Sequence, residues 1–103
     1  MAWQHAASLD ELHNAQPWLP LSVGDTDLVI AAVDGTWYGV EDRCSHAGCA
    51  FSEDAELDGP HIICNCHGSE FDIRTGAVRR GPAVRPIRTI PVRTVGDRLE
   101  VEL

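Results

Sequence analysis

Leu28-Val-Ile-Ala-Ala-Val33 is the longest apolar run in the chain. It is strand-sized and far short of the roughly 18 residues needed to cross a bilayer. Near the C-terminus the pattern alternates instead. Leu99, Val101 and Leu103 point inward there, and Glu100 and Glu102 outward. Turn signals recur at short intervals: Gly24-Asp25, Asp34-Gly35, Asp58-Gly59, Thr75-Gly76 and Gly96-Asp97. Short β-rich segments punctuated in this way predict an all-β domain. Strands are expected at about 3–6, 19–23, 27–33, 36–41, 61–64, 70–73, 77–79, 88–95 and 98–102. Val33-Asp-Gly-Thr36 predicts a tight hairpin, because Asp-Gly suits the positive φ angles of a type I′ turn. One short helix is expected near Ser8–His13, where Ser8-Leu-Asp-Glu11 fits a capping box.

At 103 residues the chain suits one domain, 1–103, with one modest core and little room for a second catalytic domain. A hydrophobic content of 44% argues against disorder. Met1-Ala-Trp-Gln-His lacks the basic patch and apolar stretch of an export signal. The expectation is a soluble, cytoplasmic protein with no membrane segment.

Charge is unevenly placed. Net charge is −8 and there is no lysine. Residues 41–72 carry eight acids against only Arg43, and residues 73–98 carry seven arginines against only Asp97. The acidic stretch is either a solvated face or a surface that steers a basic partner, with Glu53-Asp-Ala-Glu56 as the candidate docking hairpin. Nucleic acid is not an expected partner: the chain is acidic, and Pro82, Pro86 and Pro91 interrupt the arginine-rich part.

The chemistry concentrates within the acidic stretch. Cys44-Ser-His46 and Cys64-Asn-Cys-His67 each offer one thiolate and one imidazole. Two Cys and two His from separate loops suit a 2Fe–2S cluster held unequally, one iron on sulfur and the other on nitrogen, which is a Rieske centre. Cys2His2 is also a zinc set, but common zinc fingers pair Cys with Cys and His with His. Two disulfides are a third reading, weakened by the missing export signal and by the crowding of Cys44, Cys49, Cys64 and Cys66 into one window. Gly48 and Gly68 follow the histidines and permit sharp turns that leave amides free for sulfur. His5, His13 and His61 lack the Cys-His spacing and are read as surface or packing residues. Trp3, Trp18 and Trp37 are read as packing residues, with Trp18 also a candidate for a partner surface.

Cys44-Ser-His-Ala-Gly-Cys49 together with Cys64-Asn-Cys-His-Gly-Ser69 resembles the two boxes of Rieske proteins, and Gly81-Pro-Ala83 resembles their proline loop. Over nearly its whole length the chain is similar to the Rieske-type ferredoxins of bacterial aromatic-ring-hydroxylating dioxygenases, of carbazole or biphenyl type. The resemblance implies three stacked antiparallel sheets with a cluster-binding subdomain, approximately 43–83, at one tip. It implies one 2Fe–2S cluster per chain, with Cys44 and Cys64 on the inner iron and His46 and His67 on the outer. Gly48, Gly68, Ser69 and Pro82 would surround it. Cys49 and Cys66 depart from the typical dioxygenase ferredoxin. In cytochrome bc-type Rieske proteins cysteines at these places form a disulfide, and the same bond is the favoured reading here, against two free thiols. High-potential members resemble Cys-His-Gly-Ser-x-Tyr, whereas this chain has Ser69 but Phe71. Ser69 is then either a lone hydroxyl donor to a cluster sulfur or a simple turn residue. Rieske potentials span roughly −150 to +300 mV, and one donor predicts the lower half of that range.

By resemblance, the chain is an electron carrier rather than an enzyme. It would take electrons from a flavin-dependent ferredoxin reductase and pass them singly to a terminal Rieske oxygenase, working as a monomer. The alternative is a small Rieske subunit of another oxidoreductase, such as assimilatory nitrite reductase. That role would require a contiguous apolar patch.

Overall fold

The computed structural model describes residues 2–45 and 48–103. Three antiparallel sheets make up the architecture. The first is ordered β1 (Trp3–Ser8), β11 (Arg98–Glu102), β10 (Val92–Val95). The second is β2 (Leu19–Val23), β3 (Thr26–Val33), β4 (Thr36–Glu41), β9 (Thr89–Ile90). The third is β5 (Ala55–Asp58), β6 (His61–Cys64), β7 (Glu70–Asp72), β8 (Val78–Arg80). Two short helices join them, α1 (Leu9–Asn14) and α2 (Phe51–Asp54).

The unbroken apolar run of β3 is explained by its place in the middle layer. Side chains alternate across a strand, and here both faces are covered. Leu28 and Ile30 join Leu12, Ile90, Leu99 and Val101 in one core. Val29, Ala31 and Val33 join Phe51, Ile62, Phe71 and Ile73 in the other. The middle sheet thus separates two cores, each shared with an outer sheet. The β3–β4 turn has the expected form, with Asp34 at φ 52° and Gly35 at φ 79°. α1 starts at Ser8, whose hydroxyl accepts the Glu11 N–H while the Glu11 carboxylate accepts the Ser8 N–H.

Three expectations need correction. Residues 88–95 do not form one strand. Pro91 divides them into β9, which pairs with β4, and β10, which pairs with β11 in a different sheet. Glu53–Glu56 is not an acidic hairpin: Glu53 and Asp54 end α2, and Glu56 lies in the edge strand β5. Glu100 faces away from the core but is only 9% exposed, because Arg93 and Arg98 cover its carboxylate.

The third sheet is an insertion. β4 and β9 lie side by side, Gly39 opposite Ile90 and Val40 opposite Thr89, and Glu41 N–H donates to the Arg88 carbonyl. Everything from 42 to 88 leaves and re-enters the middle sheet through these adjacent strands.

Candidate metal centre

Two loops of the insertion are built alike. In the first, Cys44 N–H donates to the Cys49 carbonyl at 2.8 Å and Gly48 N–H to the Cys44 carbonyl at 2.9 Å. In the second, Cys64 N–H donates to the Ser69 carbonyl at 2.8 Å and Gly68 N–H to the Cys64 carbonyl at 2.8 Å. Gly48 (φ 74°) and Gly68 (φ 82°) close these turns in the left-handed region, which glycine adopts without a Cβ penalty. Each loop curls around its leading cysteine, so Cys44 and Cys64 are buried, whereas His67 is exposed. His46, expected as the fourth ligand, and Ala47 lie outside the described residues.

Cys44 and Cys64 are free, buried thiols. Burial pushes the Cys64 thiol up, and the adjoining Cys44 sulfur pushes the same way. The N–H groups of Cys66 and His67, hydrogen-bonded to the Cys64 sulfur, pull it down. Two adjoining thiols in apolar surroundings ionise readily only when a cation shares the site. The amides already aimed at the sulfur suit a thiolate bound to such a cation. Sulfur donors inside and an imidazole at the surface fit the unequal ligand set of a Rieske 2Fe–2S cluster.

Cys49 and Cys66 are joined by a disulfide, which staples the two loops together. The sulfurs of Cys49, Cys64 and Cys66 lie within 4.8 Å of one another. This trio is not itself a thiolate site, since two of its members are bonded to each other. The usable sulfur pair is Cys44 with Cys64. Asp54 Oδ2 approaches Cys66 Sγ at 3.7 Å, which sets α2 against the second loop.

A strap of residues 81–87 connects the loops a second time. Ser69 is fully buried, and its Oγ accepts the Ala83 N–H at 3.0 Å. The Ser45 hydroxyl donates to the Arg85 carbonyl. Ile87 N–H donates to the Gly76 carbonyl at 2.9 Å. Pro82 is exposed just ahead of the first of these anchors. Under the site, Phe71 is fully buried and meets Phe51 edge-on, ring centroids 5.9 Å apart, with no hydroxyl to offer the centre.

Sequence reasoning passed over two supports. Ser45 stands between Cys44 and His46 in the motif and also holds the strap. Asp42, seen only as one acid of a run, accepts the Ser52 N–H at 2.9 Å and the Ser52 hydroxyl, so it caps α2 from a distance. Neither partner lies within a turn's reach in sequence, so no local pattern marks them.

Such a site on such a scaffold defines a class of small iron–sulfur proteins. The family model for the Rieske [2Fe-2S] domain matches residues 2–91. This chain belongs to that family. It is 38% identical to the ferredoxin component of the p-cumate 2,3-dioxygenase system of Pseudomonas putida, over 74% of this chain and 64% of that protein's length. It is 32% identical to the biphenyl dioxygenase ferredoxin subunit of Pseudomonas sp. (strain KKS102), over 99% of this chain and 93% of the relative. The fold also matches a chain of the solved complex of reduced oxygenase and oxidized ferredoxin in carbazole 1,9a-dioxygenase. That match has a TM-score of 0.84 at 26% identity and covers 96% of this chain and 91% of that one. No helix among the described residues is long and apolar enough to cross a membrane.

Proposed function

We propose that this protein is the ferredoxin of a multicomponent aromatic-ring-hydroxylating dioxygenase. It accepts single electrons from a flavin-dependent reductase and delivers them to a terminal Rieske oxygenase. A bound 2Fe–2S cluster supplies one reversible electron at a time. Cys44 and Cys64 would hold it from the buried side, and His46 and His67 from the outer side. The observation that carries the reading is the pairing of two buried free thiols, with amides aimed at Cys64, beside an exposed His67.

The remaining residues have supporting tasks. Cys49–Cys66 and the 81–87 strap keep the loops in register, so little rearrangement accompanies electron transfer. Ser69 keeps a hydroxyl proton to donate toward the centre. Phe51, Ile62, Phe71 and Ile73 exclude water from below.

The exposed surface favours a mobile carrier over a permanent subunit of a reductase complex. Among the described residues the large exposed hydrophobics are Val84 and Val95, which lie in different parts of the fold and form no continuous patch. Docking by repeated weak encounters, as a monomer, is in keeping with that surface. Exposed Glu53, Asp54, Glu56 and Asp58 flank the second ligand loop and steer a basic partner face.

The test is reconstitution. Anaerobically isolated protein is expected to be brown, with a rhombic spectrum when reduced. With a reductase and an oxygenase encoded beside it, it is expected to restore oxygen uptake that depends on an aromatic substrate. Colourless, iron-free protein, or uptake indifferent to its addition, overturns the proposal.

A further inference from the structure

Val84 is 88% exposed, the barest large apolar residue described, yet its backbone is tightly held. Ala83 before it is buried and gives its N–H to Ser69 Oγ. Arg85 after it accepts the Ser45 hydroxyl at its carbonyl, and Arg85 Nη2 reaches the Ser45 carbonyl at 3.4 Å. The strap is therefore pinned to both ligand loops, one residue to either side of Val84. An isopropyl group shown to water on a fixed backbone loses hydrophobic free energy in the isolated protein. The same rigidity leaves little chain entropy to lose on docking.

The charge next to it is opposite in sign to the chain's own. Arg43, Arg85 and Arg88 line one open cleft of about 610 Å³ beside Cys44 and Ser45, against the single carboxylate of Glu41. Among the described residues Glu41 forms an ion pair with Arg88, at 3.4 Å. Within this cleft three guanidinium groups face one carboxylate; Arg43 and Arg88 also line the adjoining cleft with Asp25, Asp27 and Asp42, which leaves Arg85 as the cation beside Val84 with no acid-rich cleft of its own to face.

We propose that Val84 and the Arg43–Arg85–Arg88 cleft form a docking contact for a redox partner that presents an apolar recess edged by carboxylates. The inference rests on the electron-carrier reading and adds a basic contact to its acidic one. The α2–β5 acids adjoin the second ligand loop, where Asn65 N–H donates to the Asp54 carbonyl. The arginine cleft adjoins the first. A partner meets opposite charges on the two sides of the tip, and these admit one orientation rather than many.

Arg85→Glu, Arg43→Glu and Val84→Ser, made in the cluster-loaded protein, test this. Stopped-flow transfer is measured with the reductase and oxygenase that support oxygen uptake with the wild type, across a range of salt. Iron content and the visible spectrum stay as in the wild type. Each arginine variant is expected to lower the second-order transfer rate about tenfold at low ionic strength and to flatten its salt dependence. Val84→Ser is expected to raise the apparent dissociation constant about fivefold without changing the salt slope. Arginine variants that transfer as fast as wild type, or faster, overturn the docking contact, because a wholly acidic docking face gains from losing positive charge. Failure of the wild type itself to transfer electrons overturns the carrier reading instead.

Discussion

Ser69 Oγ accepts the Ala83 N–H at 3.0 Å, so this buried hydroxyl ties the strap down with its oxygen and keeps its proton for another acceptor. In a cluster-loaded site a cluster sulfur would be that acceptor. Ser69→Ala is expected to lower the midpoint potential, because the reduced and more negative state loses a donor. It should also cost about 1–2 kcal/mol by orphaning the Ala83 amide. Voltammetry and chemical denaturation read the two effects separately. An unchanged potential with lowered stability would make Ser69 a clasp alone.

The Cys49–Cys66 bond is the covalent link between the ligand loops. In native protein isolated without reductant, neither cysteine is expected to be alkylated. Cys49→Ser combined with Cys66→Ser is expected to shorten the time for the visible bands to bleach under a chelator, since each loop can then open alone. Bleaching at the wild-type rate would assign loop registration to the strap.

Asp72 sets an acid limit on stability. Its carboxylate is 5% exposed and accepts Arg74 N–H at 2.8 Å, Nε at 3.0 Å and Nη2 at 2.9 Å. The Arg74 side-chain hydrogen bonds, above all, hold it below the usual carboxylate range, against the opposing effect of burial. A lowered folded-state value means the contribution is complete above about pH 5, where the aspartate of the unfolded chain is almost wholly ionised. It is lost as pH falls toward the lowered value. Asp72→Asn is expected to cost about 1–2 kcal/mol at neutral pH and to flatten the acid side of the stability profile. A profile of unchanged slope would remove Asp72 as its source.

Gly76 is a steric keystone of the β7–β8 hairpin. Its φ is 79°, its N–H donates to the Asp72 carbonyl at 2.7 Å, and its own carbonyl accepts Ile87 N–H. A Cβ there would collide with the Ile87 carbonyl oxygen, which is backbone and cannot swing aside. Gly76→Ala is expected to cost about 2–4 kcal/mol, lowering Tm on the order of 10 °C. An unshifted melting curve would show that the strap re-routes freely.

Local patterns revealed what depends on neighbours in sequence. The capping box at Ser8, the Asp34-Gly35 turn, and the bounds of β2, β4, β6 and β11 follow from propensity and periodicity over a few residues. The failures are non-local. Thr89 to Val95 has strand character throughout, and only the absence of an N–H at Pro91 hints at a break. The first half joins β4, far away in sequence, whereas the second pairs with its hairpin neighbour β11 in another sheet. α2 has no side-chain cap of its own at Ala50. The sequence Ala55-Glu-Leu-Asp58 has weak strand preference, and β5 forms through its pairing with β6. In the site, the Cys-His spacing made the metal chemistry legible. The strap's ties through Ser45 and Ser69 emerge only once distant loops meet.

The insertion between β4 and β9 has a further meaning. Since its two ends sit side by side, the redox-active cap joins the chain at one place and packs through a shared core onto a base that contributes none of the expected ligands. Partner choice and driving force can drift during evolution through substitutions in the cap, while the layers beneath keep their shape. Such a plan makes the protein a socket with an interchangeable fitting.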